Sequence, residues 1–305
     1  MKLPSLPYDS WTETRLTLHL IFQIIGKIRL ASSPRKNHWW YITEYISSKG
    51  FTTHSIPMND GINTFEITLN VHSKSIQIES SKGESNELAL NDGYTVGQFY
   101  KDIMAIIDSW GQKLKFIPKP LDLIIETPFA EITEYHHYDW DAIHKFWQMM
   151  LWNDGIFKEF SGRFYGKTCP VHLYWHHLDL TVTRFSGKSL PPMDAGARIL
   201  EKDAYSHEVI SFGFWAGDDN MREPAYYSYT YPSPDGLGDE KLEPESAFWM
   251  EANGSPMAIL KYNDILESEN PKEIVMNFLE STYQAGAKRA NWDIEGNRVP
   301  PLENL

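Results

Sequence analysis

Thr64-Phe65-Glu66-Ile67-Thr68-Leu69-Asn70-Val71-His72 alternates without a break. In an extended chain Phe65, Ile67, Leu69 and Val71 fall on one face, and Thr64, Glu66, Thr68, Asn70 and His72 on the other. A strand with one apolar and one polar face belongs in an antiparallel sheet that buries a single side. Ser75 to Glu79 is the expected antiparallel partner.

Outward from that strand, helices and further strands follow in both directions. Upstream, Leu18, Ile21, Ile25 and Ile28 form one stripe of a helix running to about Leu30. Ser10-Trp11-Thr12-Glu13, with the spacing of a capping box, opens it. A strand is expected from Trp39 to Ser47, then a turn at Lys49-Gly50. Downstream, a second capping box at Thr95-Val96-Gly97-Gln98 opens a helix with Phe99, Ile103, Ile106 and Trp110 on one face. Leu114 to Thr127, with Pro118, Pro120 and Pro128 around it, reads as an extended connection. A helix from about Asp139 follows, then strands at Val171 to Phe185, Glu208 to Trp215 and Ala225 to Tyr231, and a segment near Ala247 to Ile259. Asn270, Pro271 and Glu273 start a closing helix.

The expected fold is therefore α+β, with antiparallel sheets flanked by helices. Its two halves, residues 1–128 and 129–305, each read helix, strands, helix and would pack as one compact unit. Gly26-Lys27-Ile28-Arg29 and Asn37-His38-Trp39-Trp40 echo Gly162-Arg163-Phe164-Tyr165 and Val171-His172-Leu173-Tyr174-Trp175. If the halves are duplicates, a cleft between them is a natural ligand site.

A chain of 305 residues buries enough surface to fold without a metal or disulfide. Its formal charge of −13, with no basic block longer than Arg35-Lys36, argues against nucleic acid and anionic membrane surfaces as partners. The single cysteine, Cys169, permits no intrachain disulfide, which suits a reducing cytoplasm. The Leu16–Leu30 stretch is interrupted by His19, Gln23, Lys27 and Arg29 and is too short and charged to span a bilayer. Aromatic residues make up 14% of the chain, enough either for a large core or for an aromatic-lined pocket.

Thr17–Leu30 (TLHLIFQIIGKIRL), Asn37–Tyr41 (NHWWY), Gly50–Pro57 (GFTTHSIP), Pro170–Gly187 (PVHLYWHHLDLTVTRFSG) and Tyr205–Gly217 (YSHEVISFGFWAG) are distinctive strings in a fixed order. Together with Pro224–Pro234 (PAYYSYTYPSP) they resemble domain of unknown function 5996, an uncharacterised bacterial family, over nearly the whole chain. The resemblance implies no activity. It departs at His176, where the family pattern usually has a small residue, which weakens any metal site built on that histidine.

Several groups are candidates for chemistry. His19, Gln23 and Lys27 recur at four-residue intervals as a polar stripe on an apolar helix; they face either solvent or a wet pocket to which Lys27 and Arg29 offer positive charge. His38 lies beside Trp40, as a base next to a stacking platform or as a structural histidine. On one unbroken strand His172, Tyr174, His176, Leu178, Leu180, Val182 and Arg184 share a face, although a bulge would reverse part of that pattern. His172 and His176 would then stand ~13 Å apart, too far for one metal. His207 and Glu208 diverge on a strand, and Tyr227, Tyr229 and Tyr231 share a face as pocket lining or as cross-strand packing. No zinc, P-loop, dinucleotide or nucleophile-elbow motif is present.

The functional expectation is an enzyme or enzyme-like protein that binds a small polar or anionic metabolite. His38, His172 and His207 are the candidate catalytic groups. His19, Gln23, Lys27, Arg29, Trp40, Trp175, Arg184 and Glu208 are the candidate ligand-binding groups. A non-catalytic binder of a flat cofactor such as haem or flavin is one alternative, and a structural or interaction protein another. Cofactor identity and oligomeric state are not legible.

Overall fold

The computed structural model describes residues 3–304. Helix α1 (Thr12–Ser32) precedes β1 (Tyr45–Ser47), β2 (Gly50–Thr52), β3 (Ile56–Pro57), β4 (Thr64–Asn70), β5 (Ser75–Ser80), β6 (Ser85–Ala89) and helix α2 (Val96–Ser109). An extended connection leads to α3 (Trp140–Ser161), β7 (His172–Tyr174), β8 (Asp179–Ser189) and the short α4 (Ile199–Ala204). Strands β9 (His207–Trp215), β10 (Ala225–Tyr231), β11 (Phe248–Ala252) and β12 (Ser255–Lys261) follow, then α5 (Pro271–Arg289).

Two antiparallel sheets result and make the fold α+β. One is ordered β1-β2-β4-β5-β6, with β3 beside β4; the other is β7-β8-β9-β10-β12-β11. The runs β4-β5-β6 and β7-β8-β9-β10 are antiparallel meanders, and the closing β11–β12 hairpin joins β10 through its second strand; each sheet lies in sequence between an opening and a closing helix. At the junction Glu44, just before β1, and Leu173 in β7 exchange both backbone hydrogen bonds, at 3.0 and 2.7 Å. The sheets therefore meet edge to edge.

Residues directly opposite each other across a ladder point to the same face. Leu69 lies opposite Ile76, and Ile67 opposite Ile78, so the apolar half of the opening motif forms one side of the first sheet. Phe22 of α1 meets Phe51, Phe160 of α3 meets Phe212, and Phe278 of α5 meets Tyr226 on the same side. That helix-covered face is the core. The opposite face is polar, with Thr52, Thr68, Gln77 and Glu87 in the first sheet and Asp179, Thr181, Thr183, Ser211 and Tyr227 in the second. Among the described residues no helix is long and apolar enough to cross a membrane.

Three local expectations change. The stretch Val171 to Phe185 is a hairpin, because the chain turns at Trp175–Leu178, where Leu178 is left-handed (φ 55°). Tyr174 pairs with Asp179 and His172 with Thr181, whereas Leu180, Val182 and Arg184 face the helices. The histidine and arginine ends of that string therefore lie on opposite faces, and Arg184 cannot join His172. The Trp39–Ser47 strand shortens to Tyr45–Ser47, and Asn37–Trp39 form a tight turn. Finally, the Ser10 hydroxyl bonds to the carbonyl of Pro7, and α1 starts at Thr12 without a side-chain cap. The Thr95 box does form, with the hydroxyl accepting from Gln98 N–H at 3.1 Å.

Candidate functional site

Two of the three candidate catalytic histidines reach the polar face of the second sheet by strand register. His172 lies opposite Thr181, and His207 opposite Ser189 beyond an irregularity in β8. His38 arrives there from outside the sheet. Both His38 and Trp39 adopt left-handed backbone conformations (φ 57° and 61°), which are rare and costly for residues with a Cβ. Contacts with α4 and its C-terminal end hold this turn: Trp39 N–H donates to the Asp203 carboxylate at 3.3 Å, and its indole N–H to Leu200 O at 2.9 Å.

The turn delivers the His38 ring to a defined place. Its Nδ1 lies 3.3 Å from the Ala204 carbonyl, which can only accept, so Nδ1 carries the proton. Nε2 then accepts from Lys167 Nζ at 2.9 Å. His207 and Phe185 lie 5.2 and 4.7 Å from the imidazole, centre to centre, and Trp40 at 5.2 Å. Lys167 is exposed and hangs over Phe185 and Trp40 at 4.6 and 5.2 Å. Burial, and then the neighbouring ammonium, lower the His38 pKa, so the ring is neutral at pH 7; desolvation lowers that of Lys167. Lys167 had no signal in the linear sequence. It is brought in because Phe185 N–H bonds to its carbonyl at 3.0 Å, alongside β8.

Deeper on the same face, His172 is 0% exposed and neither ring nitrogen has a partner. Burial drives its pKa down to about 3. Tyr174 links the two regions, with its ring 4.7 Å from His172 and its hydroxyl donating to His38 O at 3.2 Å. Asp179 Oδ2 accepts from Thr181 at 2.8 Å and from Tyr227 at 2.5 Å, and its Oδ1 is unpartnered. Gly213 makes this possible, since any side chain there would overlap the Tyr227 ring.

The remaining candidates lie elsewhere. His19 Nε2 donates to His176 O at 2.9 Å, and the Gln23 amide spans the backbone N–H and carbonyl of Leu121 at 2.7 and 2.9 Å. These two fasten the 114–127 connection and the β7–β8 turn to α1. Gln23→Met should accordingly cost about 1–3 kcal/mol in a urea unfolding titration, as buried amide partners go unmet. Lys27 is buried with its Nζ 5.8 Å from the Trp175 ring, and Trp175 itself is packed against Gly26 in the core. Arg29 donates from Nε to Tyr41 O at 3.0 Å. Arg184 stacks on Phe160 and Tyr283 beneath α5, and Glu208 lies 3.7 Å from Lys188 on the helix-side register. Among the described residues no group of three or more His, Cys, Asp or Glu side chains could hold a metal ion.

Residues 3–299 match the model of a family of unknown function, DUF5996, and the chain belongs to that family. No curated protein and no solved structure matches it.

Proposed function

We propose that this DUF5996 member binds a small anionic metabolite at the His38–Lys167–His207 mouth of the polar face and exchanges a proton with it there. The observation that carries the reading is the 2.9 Å contact between a neutral, carbonyl-anchored His38 and the exposed ammonium of Lys167, made by a strained backbone turn. Strain of that kind persists where surrounding contacts over-determine it, and such positions cluster at functional sites. Lys167 and Lys36, whose Nζ lies 5.6 Å from the Trp40 ring, offer positive charge on a chain of net charge −13. Trp40 and Phe185 supply a wall for an apolar or flat part of the ligand. His38 Nε2, released from Lys167 when the ligand's charge takes the ammonium, is a lone pair positioned to accept a proton. His207, half-buried and 5.2 Å away, is the second proton-exchanging group. Cys169, buried with its thiol pKa raised to about 12, suits the reducing cytoplasm that we assign to the protein.

The test is isothermal titration with a panel of small mono- and dicarboxylates on wild type, Lys167→Met and His38→Gln. Lys167→Met should weaken binding by about tenfold or more, the loss expected for one charged hydrogen bond. Its thermal midpoint should stay within about 2 °C, because an exposed lysine contributes little to stability. Equal binding by wild type and Lys167→Met, or no binding of any member of the panel, removes this reading.

A further inference from the structure

On the opposite side of the second sheet, between the end of α3, β8 and α5, lies a cavity of about 290 Å³. Its floor is Arg184, 1% exposed. The guanidinium is clamped by Phe160, Tyr283 and Phe164, whose ring centres lie 3.6, 4.4 and 5.1 Å from Cζ. One hydrogen bond is made, from Nη2 to Phe160 O at 2.6 Å, and Nε has no partner. The nearest carboxylate oxygen, on Glu280, is 4.0 Å from Nη1, beyond hydrogen-bonding distance. Tyr283, also buried, has an unpartnered hydroxyl in the same wall.

A buried charge without a hydrogen-bonded counter-ion is costly, and the stacked rings hold this one in place beneath α5. Burial lowers the Arg184 pKa to about 10, so the charge is retained at neutral pH. Other charges at the rim are already matched. Arg163 bonds to Glu159 at 2.8 Å and Glu280 at 3.1 Å, and Arg298 to Glu295 at 3.2 Å. Arg184 combines deep burial and fixed orientation with an Nη1 that makes no hydrogen bond at the floor of the cavity, whereas its Nε is closed off from solvent.

We propose that this cavity is a second site, separate from the polar face, for the oxyanion head of a small carboxylate or phosphate. The head group would take Nη1 of Arg184 and draw in the Tyr283 hydroxyl, which is closed off from the empty cavity. Glu280 sits at the rim as the competing anion and is held off Arg184 by its bond to Arg163. The arrangement is independent of the His38 site, because Arg184 and His172 occupy opposite faces of the sheet.

The probe is the Nε–H resonance of Arg184 in ¹⁵N-labelled protein, titrated with inorganic phosphate, with succinate, and with chloride at matched ionic strength. A saturable shift with phosphate or succinate, absent with chloride, is the expected result, and whichever anion gives it identifies the head group. Glu280→Gln removes the competing charge and should tighten binding by about threefold or more, the scale of a partly exposed charge pair. Tyr283→Phe, which keeps the ring, should weaken it by a similar factor. The proposal is overturned if neither oxyanion gives a saturable shift, if chloride gives the same one, or if Glu280→Gln weakens binding. Lys167→Met should leave this titration unchanged, which separates the fate of this site from that of the polar face.

Discussion

Trp175→Ala should destabilise the protein by about 3–5 kcal/mol, the cost of removing a large aromatic side chain from a closed core. Trp175 is 1% exposed and stands in the β7–β8 turn, yet its ring packs directly against Gly26 of α1. Its indole N–H donates to Ile42 O at 3.0 Å, so one side chain joins the first helix, the approach to β1 and the second sheet. Gly26 is part of the same contact. Alanine normally favours a helix over glycine by about 1 kcal/mol. Here its methyl would stand inside the van der Waals envelope of the indole, and Gly26→Ala should instead cost about 1–3 kcal/mol through overpacking. The double variant should cost less than the sum of the two, since the cavity left by Trp175 accepts the methyl. Urea unfolding of the four proteins measures this. Additive costs, or a Trp175→Ala protein of unchanged midpoint, would show that the ring is not the packing element described.

Acidification from pH 6.5 to 4.5 should lower stability, and the sign follows from two buried histidines. His19 and His172 are 6% and 0% exposed, and burial holds both pKa values near 3 in the folded protein. In the unfolded chain they titrate near 6.5. Over that window the unfolded state binds a proton at each and the folded state does not. Each histidine therefore removes about 1.4 kcal/mol per pH unit as pH falls. Glu44 opposes them. It is 1% exposed, and burial raises its carboxyl well above the usual range despite Arg29 nearby. The folded protein keeps that proton above about pH 4.5, where an unfolded glutamate releases it. Glu44 therefore adds stability on acidification, against the sense of the two histidines. Two histidines act against this one carboxyl, so acidification across the window leaves a net loss of stability. His38, His54 and His176, all with lowered pKa values, act in the same direction as His19 and His172. Urea midpoints at half-unit steps of pH test the assignment. His172→Leu should flatten the dependence by about 1.4 kcal/mol per unit, and Glu44→Gln should steepen it. An unaltered slope in His172→Leu would mean that the ring is hydrated or paired rather than buried alone.

Signals that act over a few residues were legible. The alternation in Thr64 to His72 named both faces of β4 and its pairing with β5, and Leu69 does lie opposite Ile76. The Thr95 cap, the Pro271 start and the shared face of Tyr227, Tyr229 and Tyr231 are equally local, since each depends on a 2.0 or 3.6 residue repeat or on one turn of helix. The α+β class and the polar second face follow from them.

Which candidates meet was settled at longer range. The turn at Trp175-His176-His177-Leu178 has no Gly, Pro, Asn or Asp to announce it, and closes through a left-handed leucine. Strand side chains alternate with a period of two, so this one unannounced turn moved His172 and Arg184 to opposite faces and split a supposed single site in two. In the same way, His38 owes its place to Ala204 and Lys167, 166 and 129 residues away along the chain. Periodicity and capping determined which residues form strands and helices and which side of each is apolar. Only tertiary packing decided which polar side chains converge, because it alone supplies the distant carbonyls and rings that hold a strained turn in place.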